Sequence, residues 1–244
     1  MATDNRIPTL GFGVSPAAVI LLGFGAGALA AVTGLTDQDL LSEIQIALLE
    51  RPDGGQSWPS EVWTREEVLG NLNSRIWSIL KDTHAVVTRT EIAVPASGLG
   101  VVSLPADWMA TVSGVWRTAG GVRSPLGPGD SFESDLALPS WETTAATPLV
   151  YHDLDDESLV LRLAPIPDAN GTLELLYVAR PPAVNGAGSA IAVPEGQLTA
   201  VKYGTLGMLL RKVGRLSDPA RAAYCESRYD LAVLATEILL GGFA

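Results

Sequence analysis

Cysteine, histidine and aromatic residues are scarce in this sequence of 244 residues. It contains one cysteine, Cys225, and two histidines, and aromatic residues make up 6% of it. A single cysteine excludes an intrachain disulfide, so nothing points to an oxidising compartment. Because no group that would activate the thiol lies near it in sequence, we expect Cys225 to be a buried structural residue.

Catalytic and metal-binding motifs are also lacking. The sequence has no nucleophile elbow, no P-loop and no zinc motif. Four carboxylates fall within residues 153–157, beside His152, but Ser158 stands where a calcium-binding EF-hand loop needs glycine. His152 has no second His or Cys at metal-ligand spacing. A solvated hairpin tip is the simpler interpretation, and we predict a protein that is not an enzyme and has no cofactor or metal.

Basic residues are few, with 16 Lys and Arg against 27 Asp and Glu, which gives a net charge of −11. Residues 91–194 contain four basic and twelve acidic residues, whereas residues 195–244 contain six and five. Tight sequence-independent binding to nucleic acid needs clustered Lys and Arg, and the composition argues against it. The acidic middle indicates either ordinary solubility or a surface that repels polyanions.

Charge is missing altogether between Ile7 and Thr36, and residues 14–32 are almost entirely apolar or small. Their length suits a membrane-spanning helix of about 20 residues, but the many glycines and alanines make the run weakly hydrophobic and a poor helix. Arg6 and the alanine-rich end fit a signal peptide only loosely. We favour an apolar arm over residues 1–35 that packs against other subunits of an assembly.

The same run contains a glycine-rich turn at residues 23–28 that follows the apolar residues 19–22. This order is similar to the strand and turn of a dinucleotide-binding motif, in which glycines admit a pyrophosphate at a helix N-terminus. That motif requires a βαβ unit of about 30 residues. Because two helices are predicted after the turn, we do not favour nucleotide binding.

Two amphipathic helices are predicted before residue 87 and two more after residue 194. Apolar residues recur at helical spacing in each. Gly204 and Gly207 in the third helix each cost about 1 kcal/mol relative to alanine, and they would allow another helix to approach closely. Three of the starts are marked by capping residues and their partners: Thr36 with Asp39, Thr64 with Glu67, and Asp218 with Pro219.

Short apolar runs separated by Pro, Gly, Asp and Asn clusters fill the middle of the chain and predict strands. Polar and apolar residues alternate over 88–94, and residues 119–122 favour a hairpin turn. Residues 124–148 are rich in Pro, Ser, Gly and Thr and predict an extended loop. The expected fold is α+β. A bundle of about four helices, from residues 36–86 and 195–244, carries an inserted antiparallel β-rich subdomain over 87–194 and the apolar N-terminal arm.

This order of elements resembles the head-to-tail adaptor, or connector, proteins of tailed bacteriophages. The resemblance covers roughly residues 36–240 and is based on spaced strand and turn signatures, whereas the uncharged N-terminal run departs from the usual pattern. The signatures are residues 104–108 (LPADW), 148–151 (PLVY), 161–167 (LRLAPIP), 175–182 (LLYVARPP) and 191–194 (IAVP).

The resemblance implies a structural protein of the virion neck that is assembled in the host cytoplasm. In this family twelve copies form a ring under the portal protein, the ring continues the DNA channel without binding DNA specifically, and its far side docks tail or nozzle proteins. The C-terminal segment commonly lodges in the portal. The apolar end of this chain fits that role, and its candidate portal contacts are Leu239, Leu240, Phe243 and Ala244.

Other functions remain open from the sequence. The protein could be a different tail or neck component, such as a stopper, a tail tube or a fibre-anchoring protein. It could instead be a membrane-associated protein anchored by residues 14–32. The alternative to a C-terminal tail that docks into a partner is a tail that folds back onto its own core.

Overall fold

A computed structural model describes residues 35–49, 58, 62–96, 99–155, 159–213 and 217–241. Apart from Leu35, the predicted N-terminal arm lies outside the described residues. The described part is a mixed α+β structure. Its helices are α1 Asp37–Ala47, α2 Arg65–Thr83, α3 Ser131–Ala137, α4 Glu195–Leu210 and α5 Pro219–Gly241. Its strands are β1 Thr88–Val94, β2 Val101–Ser103, β3 Trp108–Thr118, β4 Arg123–Pro128, β5 Ala145–Ala146, β6 Val150–Asp155, β7 Val160–Ala164, β8 Ile166–Pro167 and β9 Gly171–Ala179.

The predicted helix starts are confirmed, and their capping hydrogen bonds join residues only three positions apart in the sequence. Thr36 Oγ1 accepts a hydrogen bond from the Asp39 backbone N–H, and the Asp39 carboxylate accepts one from the Thr36 N–H at 2.9 Å. The hydrogen bonds from the Thr36 side chain and backbone lower the pKa of Asp39. Thr64 caps α2 in the same way, but the Glu67 carboxylate contacts Lys212 Nζ at 2.6 Å. The second predicted capping box is therefore only half present.

The main sheet has seven strands in the order β1-β9-β3-β4-β6-β7-β2 and is nearly closed. Its neighbours are antiparallel except β4 and β6, which pair in parallel, as do β5 and β8 in a separate two-stranded sheet. The prediction of an antiparallel β-rich part is thus correct for most of the strands. The parallel pair arises because β4 and β6 are separated by a long connection that contains α3, which allows the chain to return in the same direction.

The prediction of an extended loop over residues 124–148 is wrong, since the structure places β4, α3 and β5 there. Asp130 caps α3 by accepting a hydrogen bond from the Glu133 N–H at 2.7 Å. Glycine and proline do not exclude β4 from the sheet, because Gly127 donates its N–H to the Leu149 carbonyl while Pro125 lies opposite Val115. Strand β3 is also longer than the predicted 112–116.

Two hydrophobic cores form in the described residues. One lies on one face of the main sheet and includes the fully buried Trp116, Leu161, Leu163, Leu173 and Leu175. The other joins α1, α2, α4 and α5, but it also includes Met109 and Val178 from the sheet and Val184, Ile191 and Val193 from the segment that follows β9. The four long helices therefore share a core with the sheet, and a self-contained four-helix bundle remains a prediction. Helix α3 is a fifth helix that the sequence did not predict.

The segment after β9 is fixed to the first two helices by buried polar contacts. Asn73 on α2 donates its side-chain amide to the Val184 carbonyl at 3.0 Å and accepts the Val184 N–H at 2.8 Å. The fully buried carboxylate of Asp37 accepts the N–H groups of Gly186 and Gly188, each at 2.8 Å. Charge-assisted bonds of this kind offset the cost of burying a carboxylate. They hold the return path of the chain against α1 and α2.

We predict that Tyr177 titrates well above the normal range. Burial is the main cause, and the carboxylate of Asp107, 3.2 Å from the phenol oxygen, adds to it, so the pKa of Tyr177 rises to about 12. An unfolded tyrosine titrates near pH 10. The neutral phenol therefore favours the folded state fully below about pH 10, and this contribution is lost as the pH rises towards 12.

Ultraviolet titration of tyrosinate in the folded protein tests this expectation. The Tyr177→Phe variant should lack the last absorbance step, near pH 12, and should lose less stability than the unsubstituted chain over the same rise in pH. Tyr224→Phe removes an exposed tyrosine and is the control that keeps the step. A Tyr177→Phe curve that still contained it would contradict the assignment.

Candidate interaction surface on the last helix

Helices α4 and α5 approach each other closely at two glycines of α4. A Cβ atom at Gly204 would lie 2.7 Å from Cδ2 of Tyr229, and one at Gly207 would lie 2.8 Å from Oε1 of Glu226. Carbon atoms do not approach neighbours this closely without displacing them. The predicted role of the two glycines, to admit another helix, is confirmed, and the helix admitted is α5.

Helix α2 holds the same face of α5 through Arg75. Its guanidinium donates to both carboxylate oxygens of Glu226, at 3.0 and 3.2 Å, and lies 4.5 Å from the centre of the Tyr229 ring. Both charged side chains are less than one fifth exposed. Both hydrogen bonds come from Nη2, and because both side chains are largely buried, this pair is stronger than a surface ion pair. The inner face of α5 therefore packs on its own chain.

Cys225 lies on this inner face and is buried, as the sequence predicted. Burial raises the pKa of the Cys225 thiol, and the nearby Arg221 guanidinium opposes that shift only in part. The thiol is thus kept in its protonated and less reactive form.

The opposite face of α5 has large apolar side chains in contact with solvent. We call Tyr224, Leu231, Leu234 and Ile238 the outer stripe. Their exposed fractions are 54, 57, 51 and 67%. Successive members are seven, three and four residues apart, which places them along one side of a helix. None of the side chains described in residues 230–238 is buried, so the last turns of α5 extend past the core.

A second residue singled out by the sequence, His152, is buried under the α3 segment. Its Nε2 lies 3.1 Å from Ser134 Oγ, its Nδ1 lies 3.0 Å from the Gly129 carbonyl oxygen, and its ring contacts Trp141 with centroids 4.9 Å apart. No group of three or more His, Cys, Asp or Glu side chains able to hold a metal is found among the described residues. The contacts of His152 anchor α3 to the end of β4 and β6.

Comparison with protein families identifies the family to which this chain belongs. The model of the SU10 adaptor protein family matches residues 36–238, which is most of the chain. The chain belongs to the SU10 adaptor protein family. This is a family of phage head-to-tail adaptors, so the family expected from the sequence resemblance is confirmed, and the membership supports a structural role in the virion. A search of curated proteins finds no match.

The match covers the described helices and sheet of the adaptor and begins after the uncharged N-terminal run. None of the helices that the structure describes is both long and apolar enough to span a membrane. Residues 14–32, to which the membrane hypothesis applied, lie outside the described part of the chain.

The predicted portal contacts at the C-terminus are only partly placed by the structure. Leu239 and Leu240 belong to the last turns of α5, directly after the outer stripe. Their side chains, and the whole of Phe243 and Ala244, lie outside the described residues. Their role in binding the portal therefore stays a prediction.

Apolar residues at helical spacing predicted α5, but the sequence did not show that one of its sides would be exposed. The 3–4 spacing from Leu231 to Ile238 was visible, but α5 also has Ala232 and Val233 between them. An apolar pattern on two sides of a helix does not by itself tell which side faces the core. The exposed side becomes evident only once Gly204 and Arg75 are known to hold Tyr229.

We predict opposite effects from two glycine substitutions in the helices. Gly204→Ala should lower the free energy of unfolding by about 1–3 kcal/mol, because the added methyl group overlaps the Tyr229 ring. Gly70→Ala, in the exposed interior of α2 with no atom within 4 Å of the new Cβ, should raise it by about 0.5–1 kcal/mol. Urea unfolding of both variants measures the difference. Equal effects would mean that α5 does not approach α4 as described.

Proposed function

We propose that this adaptor forms a ring that joins the portal to the tail and continues the DNA channel between them. Twelve copies is the number implied by the resemblance to connector proteins. The protein acts by shape and by its interfaces, in the neck of the virion after assembly in the host cytoplasm. The outer stripe is the observation that supports this proposal best. In an adaptor, a helix whose inner face is engaged and whose outer face is apolar needs a second protein to cover it.

We assign the far end of α5 to the portal. Exposed apolar patches of this extent mark protein–protein contacts in soluble proteins. The outer stripe leads directly into Leu239 and Leu240 and then into Phe243 and Ala244, and Glu237 is the single charged residue in residues 231–244 of the sequence. Such a segment suits the helix-in-groove mode of recognition, in which residues three and four apart enter a hydrophobic groove.

We assign a different role in the ring to each part of the chain. Residues 36–86 and 195–244 are assigned to the helical part, whose last helix α5 reaches the portal, and residues 87–194 to an insertion that meets neighbouring subunits and tail or nozzle proteins. Residues 1–35 are assigned to an arm that packs between subunits. A net charge of −11 suits a lumen through which DNA moves without sticking, because each phosphate–lysine contact would add salt-sensitive affinity.

We predict that Leu234→Glu strongly weakens portal binding without unfolding the protein. Leu234 is half exposed and lies between Leu231 and Ile238 in the outer stripe. A charge at this position costs little in the free chain, but it must be desolvated when the portal covers it. Removal of an interface anchor typically costs about 2 kcal/mol or more, roughly a thirtyfold rise in Kd. Val213→Glu is the matched control, since Val213 is 97% exposed and lies outside α5.

Purified full-length adaptor and portal are mixed, and binding is measured by cosedimentation while electron micrographs give the subunit count. We expect a ring on the portal with the unsubstituted chain and with Val213→Glu, and a Kd for the portal that is roughly thirtyfold higher or more with Leu234→Glu. A persistent monomer that ignores the portal would overturn the proposal. A ring of another symmetry that binds only tail proteins would favour a stopper, tail-tube or fibre-anchoring role.

A further inference from the structure

Three arginines converge on the buried carboxylate of Glu174, on the face of the sheet opposite Leu173 and Leu175. Glu174 on β9 is 3% exposed and accepts bonds from Arg89 Nη2 at 2.7 Å, from Arg123 Nη2, and from Arg117 Nη1 at 3.3 Å. Glu91, opposite Glu174 in the register, pairs with Arg117 at 2.6 Å and with Arg89 at 3.6 Å. We call Arg89, Arg117 and Arg123 the arginine patch.

The charges of this cluster do not cancel. Three guanidinium groups meet two carboxylates, and the arginine side chains remain 52, 35 and 56% exposed, so donors are left at the surface. Val122, beside Arg123 in the β3–β4 turn, is exposed as well. The result is a small basic surface with an apolar neighbour on a chain whose net charge is −11.

The complementary surface lies on the same chain. Residues 124–161 contain eight acidic residues and no Lys or Arg. Within them, α3 presents Phe132 and Leu136, which are 69 and 70% exposed, together with the exposed Glu133. We call these three residues the α3 knob. It is held rigidly, because Ser134 contacts His152 and the Trp141 indole donates to Asp135 Oδ1 at 2.8 Å.

A chain cannot place its own knob on its own patch. Arg123 begins β4, and α3 follows the other end of that strand. Six residues of strand place these ends about 16 Å apart. Two complementary surfaces at different places on one chain make a heterologous contact, and repetition of such a contact closes a ring when the rotation permits.

We propose that the α3 knob of one copy docks on the arginine patch of the next, with Glu133 at the guanidinium groups and Phe132 and Leu136 against the apolar surface around Val122. This inference rests on the proposed function, since it supplies the subunit contact of the ring. A DNA backbone is the less suitable occupant. Three guanidinium groups against two carboxylates leave one net positive charge, which suits the single carboxylate of Glu133, whereas binding to a phosphate backbone relies on clusters of uncompensated basic residues.

Opposite charge reversals test the contact. Arg123→Glu makes the patch acidic while Arg89 and Arg117 still neutralise Glu174, and Glu133→Arg makes the knob basic. Each variant alone should assemble about tenfold less well, because an attraction becomes a repulsion in every subunit contact. An equimolar mixture of the two should assemble normally. In it, each acidic knob meets a basic patch and each basic knob meets an acidic patch, in alternation around the ring.

Ring formation by the full chain on the portal is followed by mass photometry at low and at high salt. Glu195→Arg is the control, since it makes the same charge change in the first turn of another helix, α4, and should leave assembly unchanged. Arg123→Gln removes the positive charge without reversing it, so it serves as a second variant in case Arg123→Glu misfolds. It should weaken assembly by a smaller factor than Arg123→Glu does. Thermal unfolding of each variant verifies that the fold is retained.

Single variants that assemble as well as the unsubstituted chain, or a mixture that fails to recover, would overturn the docking contact and leave the proposed function intact. Loss of duplex DNA binding in Arg123→Glu with unchanged assembly would overturn it in favour of a phosphate ligand. Failure of the unsubstituted chain to form any ring on the portal would overturn the proposed function itself, and the contact with it.

Discussion

The close approach of α5 to α4 at Gly204 and Gly207 is the constraint on which the rest of the structure depends. It allows the Tyr229 ring and the Glu226 carboxylate to sit on the backbone of α4, where Arg75 reaches both of them. Helix α2 thus meets α4 and α5 in one small region, although the whole sheet lies between α2 and α4 in sequence. Without that approach, the last helix would have no fixed position relative to the sheet.

Because the inner face of α5 is fixed by its own chain, the opposite face is the one left exposed. Because Tyr229 and Cys225 are used by the adaptor's own core, the side that carries Leu231 and Leu234 is left to solvent in the single chain. The sheet shows the same separation of roles. One face of the sheet is filled with apolar side chains, whereas the opposite face packs on the helices at Val178 and bears the arginine patch around Glu174. Helix α5 and the sheet therefore each combine surfaces that pack within the chain with surfaces that stay exposed.

The sequence predicted what depends on neighbours in the chain. Thr36 and Asp218 cap helices through atoms three residues away, and the alternation in β1 follows from the pleat of a strand with one buried face. The α3 segment escaped prediction because it is held by single tertiary contacts, above all those of His152 and Trp141, in a stretch with few apolar residues.

The candidate interaction surfaces were harder to predict from the sequence than the helices and strands, because they depend on contacts between distant residues. The C-terminal tail was identified from its composition alone, but the outer stripe could not be told from the inner one until the contacts of α5 were known. The arginine patch depends on strand register, since Arg89 and Glu174 are 85 residues apart. No local pattern in the sequence indicates that they meet.

A side-chain-resolution reconstruction of the assembled neck tests the central claim most directly. The account predicts that α5 keeps Tyr229 against Gly204 of its own chain while the portal covers Leu231, Leu234 and Ile238. A neck in which those three side chains face solvent or the DNA channel, with no portal contact along α5, would contradict it.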